Sequence, residues 1–275
     1  MKTMRWSAAV AALLVAASPV AAQDLTKPDT ASHRSGKLFT HRDLLIAGAF
    51  AAGTVAMFPL DRALARELQD SSVQTNHLLS RTATGARLLG SPGGYIFPAA
   101  AYVGGRVLHR PHLADLGLHT GEAVLMSTAI TMTIKSVAGR ARPIVDVEKP
   151  FDYGLGRGFR NDSLSSMPSG HTSTAFAAAS AASAEIGHWW PKHRKAAAFT
   201  LYTAAGLVGL SRMYNNKHWA SDVVVGAAVG SFSGWKVVGY SHAHPGNRLD
   251  RFFLGTRVGT VANGGLAISW SSPTR

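Results

Sequence analysis

Three short islands in a chain of 275 residues hold side chains suited to work together on one anion. The first is Lys135 with Arg142-Pro143, the second Pro168-Ser169-Gly170-His171, and the third Ser211-Arg212 followed by His218 and Asp222. A phosphoryl group in transfer spreads negative charge over its peripheral oxygens. Its chemistry is therefore mostly positioning and electrostatic stabilisation by Arg, Lys and backbone N–H donors. Lys135, Arg142 and Arg212 can form that cradle, and His171 and His218 can divide the covalent and proton-transfer roles without a metal.

Each island has a local logic and a plainer alternative. Pro168 closes the loop 161–167, Gly170 lets backbone approach a ligand, and Thr172 begins an Ala-rich helix. The N–H groups and positive dipole end of that helix point at whatever sits beside Ser169 and Gly170, which makes an anion site. His171 on its lip can protonate a leaving oxygen, general-acid work that contributes about 10²–10⁴-fold in rate. The alternative is a helix cap with an exposed histidine.

His218 and Asp222 are four residues apart and share a helical face. Asp222 can accept from one ring nitrogen and leave the other as a lone pair, which makes His218 the candidate nucleophile of a phosphohistidine route. A surface ion pair is the bland reading. Lys135 and Arg142, with Arg140 between them, and Arg212 at a helix end also fit an ordinary C-terminal charge pattern. What favours function is the joint occurrence of all three islands in order.

The pattern Lys135-x6-Arg142-Pro143, Pro168-Ser169-Gly170-His171 and Ser211-Arg212-x5-His218-x3-Asp222 resembles the full three-part signature of the type 2 phosphatidic acid phosphatase (PAP2) superfamily. That superfamily also takes in bacterial non-specific acid phosphatases and vanadium haloperoxidases. The resemblance implies that Lys135, Arg142, Ser169, Gly170 and Arg212 bind phosphate, that His171 is the acid, His218 the nucleophile and Asp222 its orienter, and that no metal or cofactor takes part. It covers about 44–240, not the arm before His41 or the hairpin after Arg251. It leaves open whether the substrate is a small phosphate monoester or a lipid phosphate or pyrophosphate. A vanadate-dependent haloperoxidase and a non-enzymatic anion-binding membrane protein are the competing functions.

The elements that must position these residues are helical. Hydrophobic residues make up 46% and charged residues 16% of the chain, which excludes disorder and favours buried helices. Helical stretches are expected at 44–60, 62–69, 95–108, 116–137, 172–186, 196–214 and 218–238, with a break at Ser91-Pro92-Gly93-Gly94. The predicted fold is an all-α bundle of about six core helices. Thr260-Val261-Ala262, Asn263-Gly264 and Leu266-Ala267-Ile268 add a C-terminal β-hairpin. Polar interruptions such as Glu122, Lys135, Ser180, Glu185 and Thr200 favour a soluble or peripherally attached bundle, although 44–60 and 196–210 could enter a bilayer.

Residues 1–22 read as a signal peptide. Lys2 and Arg5 lead, Ala8 to Ala17 is apolar, and Val20-Ala21-Ala22 precedes a mature start near Gln23. An uncleaved membrane anchor is the alternative. Residues 23–40 form a flexible arm, 41–240 the helical domain and 241–275 the tail, in a protein exported to the periplasm. The net charge of +13 favours phosphate esters or an acidic lipid surface as partners, and scattered basic residues disfavour nucleic acid. With no Cys the chain forms no disulfide. His109, His112, His119, His242 and His244 tempt a metal reading, which fails in the sequence because no carboxylate or Cys set accompanies them. Trp189-Trp190 reads as an interfacial anchor or as packing. Tyr214, Asn215 and Asn216 could line a substrate mouth.

Overall fold

The computed structural model describes residues 40–260 and 266–270; the leader, almost all of the arm, and the Asn263-Gly264 turn lie outside the described residues. Among the described residues nine α-helices run in chain order: α1 His41–Leu68, α2 Ser71–Gln74, α3 His77–Gly90, α4 Gly93–Val107, α5 Pro111–Ala138, α6 Gly170–Trp189, α7 Arg194–Tyr214, α8 Ala220–Ala243 and α9 Arg248–Gly255. Two strands follow, β1 Thr256–Thr260 and β2 Leu266–Trp270, antiparallel with Val258 opposite Ile268. The architecture is an all-α bundle with a C-terminal hairpin.

Local chemistry sets the boundaries. Thr40 caps α1 in a reciprocal box with Asp43. Pro111 opens α5, and Gly139, with φ of 58°, ends it in the left-handed conformation. The stretches 44–60 and 62–69 are one helix, because α1 continues through Pro59. The helix α3 was not expected at all. Asn76 caps it by accepting from the N–H groups of Leu78 and Leu79, a start signal that was present in the sequence.

α6 lies at the centre, packed on α5, α7 and α8, while α1 packs on α8 and α3 on α7. The largest core cluster joins Ala175, Phe176 and Ala179 of α6 to Ala198, Tyr202, Ala205 and Val208 of α7. Phe176 and Tyr202 meet edge-on with ring centroids 5.9 Å apart. The other side of α6 has no room for large side chains. A Cβ on Gly230 of α8 would stand 2.3 Å from the Ser173 carbonyl, and one on Gly226 would stand 2.6 Å from the Ser169 carbonyl. This close approach of α8 to the start of α6 brings the second and third islands together.

Among the described residues two helices are long and apolar enough to cross a bilayer, Asp43–Leu68 and Ala220–Ala243. The most apolar 18-residue window of the first has no buried residue, whereas half of the second is buried in the bundle.

Candidate active site

The start of α8 organises the third island. Asp222, in the first turn, turns its carboxylate back so that Oδ2 accepts from the Trp219 N–H at 2.9 Å. This cap leaves His218 just outside the helix, which corrects the expectation of a helix from 218 and of a shared helical face. The expected direct bond is also not made. His218 Nδ1 lies 3.7 Å from Asp222 Oδ2, beyond hydrogen-bond distance, and instead meets the Ser166 carbonyl at 2.8 Å. Ser166 Oγ donates to Asp222 Oδ2 at 2.5 Å, so the carboxylate holds the residue that holds the imidazole. A carbonyl can only accept, so Nδ1 carries the proton and Nε2 is the lone pair.

Behind this arrangement lies a buried charge network. Arg140 donates from Nη1 to Asp222 Oδ1 at 2.6 Å and from Nη2 to Asp61 Oδ2 at 2.7 Å. Asp61, on α1, accepts in turn from the Ser221 N–H at 2.9 Å. Phe58, Tyr153 and Trp219 rings surround the guanidinium. Arg140 is therefore the counter-ion of Asp222 rather than spare helix-end charge.

The cations of the first and third islands gather in front. The loop between α5 and α6 folds back on itself, with Arg142 N–H donating to Ser163 O and Ser166 N–H to Arg140 O, each at 2.9 Å. Lys135 Nζ donates to Ser165 O at 2.5 Å and Ser166 O at 3.3 Å, the carbonyl that also receives His218. Gly170 faces Lys135: a Cβ there would touch Lys135 Cε at 3.7 Å. Arg142 pairs with Asp162 at 2.7 Å, yet its Nε is buried with no partner. Arg212 is 6% exposed and its Nε also has no partner.

Ser169 is the N-cap of α6, which begins at Gly170 rather than Thr172. The first intrahelical bond runs from Ser173 N to Ser169 O, so the Gly170, His171 and Thr172 N–H groups precede the ladder. The Ser169 N–H donates to the Asp222 carbonyl at 3.0 Å, and its Oγ accepts from Thr172 Oγ1 at 2.8 Å. Its hydroxyl therefore serves the local fold.

The electrostatics show that these groups share one neighbourhood. Burial, with Arg212, Arg87, Lys135 and Arg142, pushes His171 down to about 4. Burial, with Lys135 and Arg142 reinforcing it and Asp222 opposing it, pushes His218 down to about 3. Burial and the nearby Arg142 and Arg212 lower Lys135 to about 8, against the pull of Asp222 and Asp162. Arg212 falls to about 10 through burial and the charges of Arg142 and Arg87. Crowding buried cations together with two guanidinium Nε atoms unpaired is costly, and an anion at this end of the bundle can offset that cost.

The sequence model of the PAP2 superfamily matches residues 116–244, the stretch that contains all three islands. Residues 116–244 are a region of PAP2 superfamily type. A lipid A 1-phosphatase of Porphyromonas gingivalis is 48% identical over 84 residues, 30% of this chain and 18% of the relative, so the chain spans under a fifth of that protein's length. Among solved structures, a transmembrane PAP2-type phosphatidylglycerolphosphate phosphatase from Bacillus subtilis is similar with a TM-score of 0.53 and 20% identity, covering 74% of this chain and 97% of that one. LpxE of Aquifex aeolicus gives a TM-score of 0.45 at 27% identity over 64% and 92%.

The PAP2 signature positions were legible in sequence; three supporting residues were not. Arg87, on α3, adds positive charge beside His171 and Arg212, but no motif marks it. Ser166 and Asp61 act through other residues, and their contacts span 56 and 160 residues along the chain. Tyr214, read as a mouth residue, packs against Val73 and Ala83. Trp189 stacks on His112 with centroids 3.9 Å apart. Among the described residues one group of three ligating side chains converges, His119, Glu185 and His242, and it lies away from the PAP2 signature.

Proposed function

We propose that this protein is a PAP2-type phosphatase that hydrolyses a membrane-borne phosphate ester through a phosphohistidine. The observation that carries the reading is the pairing of an oriented imidazole with crowded buried cations: His218, held at Nδ1 by Ser166, beside Lys135 and beside Arg142 and Arg212, whose Nε atoms have no partner. Lys135, Arg142, Arg212 and the free N–H groups at Gly170 and His171 bind the phosphoryl oxygens. Asp222 is a positioning residue.

In the first step the His218 Nε2 lone pair forms a bond to phosphorus and the ester P–O bond breaks. The leaving oxygen takes a proton from His171. In the second step neutral His171 removes a proton from water, whose oxygen displaces Nε2 and releases phosphate. The arriving phosphate supplies the negative charge that lets His171 hold its proton, which the cations refuse it in the empty site.

Three features support a lipid-linked substrate: the lipid A 1-phosphatase likeness, the bare apolar window of α1, and exposed Leu45, Val55 and Phe199 at 76%, 64% and 57%. The protein is membrane-associated. Export follows from the charged start, apolar run and small-residue site within residues 1–22.

The test is His218→Ala, assayed for phosphate release from an aryl phosphate, phosphatidate and a polyprenyl pyrophosphate with chelator present. Activity is expected to fall by about 10³-fold or more with helicity unchanged. Wild-type turnover in that variant would refute the covalent route, and faster release from the aryl phosphate than from either lipid would refute the membrane substrate.

A further inference from the structure

We propose that His119, Glu185 and His242 form a structural site for a zinc-type divalent metal ion at the opposite end of the bundle from His218. The site is far from the phosphoryl chemistry. His119 precedes Lys135 by 16 positions on α5 and Glu185 follows His171 by 14 on α6. At 1.5 Å per residue these are separations of roughly 24 and 21 Å.

Two imidazole nitrogens converge on one carboxylate oxygen. His119 Nδ1 lies 2.5 Å and His242 Nε2 2.9 Å from Glu185 Oε1, and the three atoms all lie within 4.8 Å of one another. His119 and Glu185 are fully buried. Two histidines and a carboxylate are a common ligand set for zinc-like ions, with a fourth position left for water.

What distinguishes this group from a chance cluster is how its other atoms are held. Ligating histidines characteristically give their second ring N–H to a carboxylate. Here His119 Nε2 faces Asp250 Oδ1 at 3.2 Å. The second oxygen of Glu185 accepts from Trp189 Nε1 at 3.0 Å, which turns Oε1 towards the two imidazoles. The His242 ring is stacked on His188 with centroids 4.0 Å apart. One turn along α5, Glu122 adds a carboxylate whose Oε1 is buried with no partner. The donors come from α5, α6 and α8, and Asp250 from α9, so an ion there ties the short C-terminal helix to the core.

The sequence conceals this site because Glu185 lies 66 residues from His119. The competing state is a metal-free network in which a protonated His119 bridges Glu185 and Asp250.

The experiment uses full-length protein without a histidine tag, purified in detergent, stripped with chelator and reloaded with zinc or cobalt(II). One equivalent of zinc by elemental analysis and a cobalt visible band of four-coordinate intensity are expected. A melting rise of about 5–10 °C should appear at zinc 100-fold above its Kd. His242→Ala, at the half-buried edge, and Glu185→Gln should lose all three, while His193→Ala, on the surface, keeps them. If wild type retains no zinc and shows no cobalt band, or if His242→Ala binds as wild type does, the protonated network is correct and the proposal fails.

Discussion

Ser166 is the residue on which the geometry of His218 turns. Its carbonyl fixes the His218 tautomer and its hydroxyl ties that carbonyl to Asp222. Removing the hydroxyl leaves the carbonyl in place but frees the loop to shift, a loosening of an outer support that typically costs about 10–100-fold. Ser166→Ala should therefore lower kcat by about 10-fold while KM stays near wild type, as steady-state kinetics on an aryl phosphate would show. An equal loss in KM would instead mark Ser166 as a binding residue.

The histidines also give a pH signature. Above pH 6.5 both are neutral whether folded or not. Below it the unfolded chain takes protons that folded His171 and His218 refuse until about 4 and about 3. Stability should thus fall with pH from 6.5 towards 4, by at most about 1.4 kcal/mol per pH unit for each histidine. Urea midpoints between pH 7 and 4.5 would show the slope, and inorganic phosphate should flatten it by supplying counter-charge. The types and order of Lys135, Arg142, His171, Arg212, His218 and Asp222 were readable because they sit in short local motifs. The route from Asp222 to His218 was not, because it passes through a loop serine that no spacing rule connects to either.

At the scale of elements, the interface of α6 and α8 determines whether the islands meet. Gly226, Gly230 and Gly234 form a stripe on α8 that lets its backbone touch α6. At Gly230 the obstacles to a Cβ are the Ser173 carbonyl at 2.3 Å and the Ala177 nitrogen at 2.8 Å, both backbone, so the helices must separate. Gly230→Ala should cost about 1–3 kcal/mol and reduce activity together with stability. Gly239, on the same helix, has nothing within 4 Å, and Gly239→Ala should be neutral or gain up to about 1 kcal/mol from helix propensity. Chemical denaturation of the pair separates close packing from glycine content.

Periodicity revealed most of the helices, since α5, α6 and α7 carry long apolar runs between Gly and Pro signals. It failed at α3, whose Leu78, Leu88 and Leu89 are exposed at 74%, 46% and 56% and whose inward face is small, with Ala83, Ala86 and Gly90 buried. A helix with large residues outside and small ones inside does not show the pattern that a soluble amphipathic helix does. The same inversion accounts for the polar interruptions of the apolar runs: Glu185 and Ser180 are buried among helices, not turned to solvent.

For the molecule as a whole, that inside-out distribution bears on where α1 sits. Its lower end is tied to the bundle through Asp61, which bonds Arg140 and the start of α8. Its upper part exposes Leu44, Leu45 and Val55 at 66%, 76% and 64%. In water this apolar surface would favour association; in lipid it lowers the free energy by about 25 cal/mol for each Å² removed from water. The chain has no cysteine, so single cysteines report without background. Val55→Cys in intact membranes should react slowly with a charged maleimide and readily after detergent and denaturant, whereas Lys192→Cys, in the short turn before α7, should react in a sealed preparation of the correct sidedness. If Val55→Cys labels as fast as Lys192→Cys in the membrane, α1 faces water and the lipid-embedded reading is wrong. If Val55→Cys is shielded, the Arg140 network places the phosphoryl site at one end of a membrane-inserted helix. A lipid headgroup could then be reached there without leaving the bilayer.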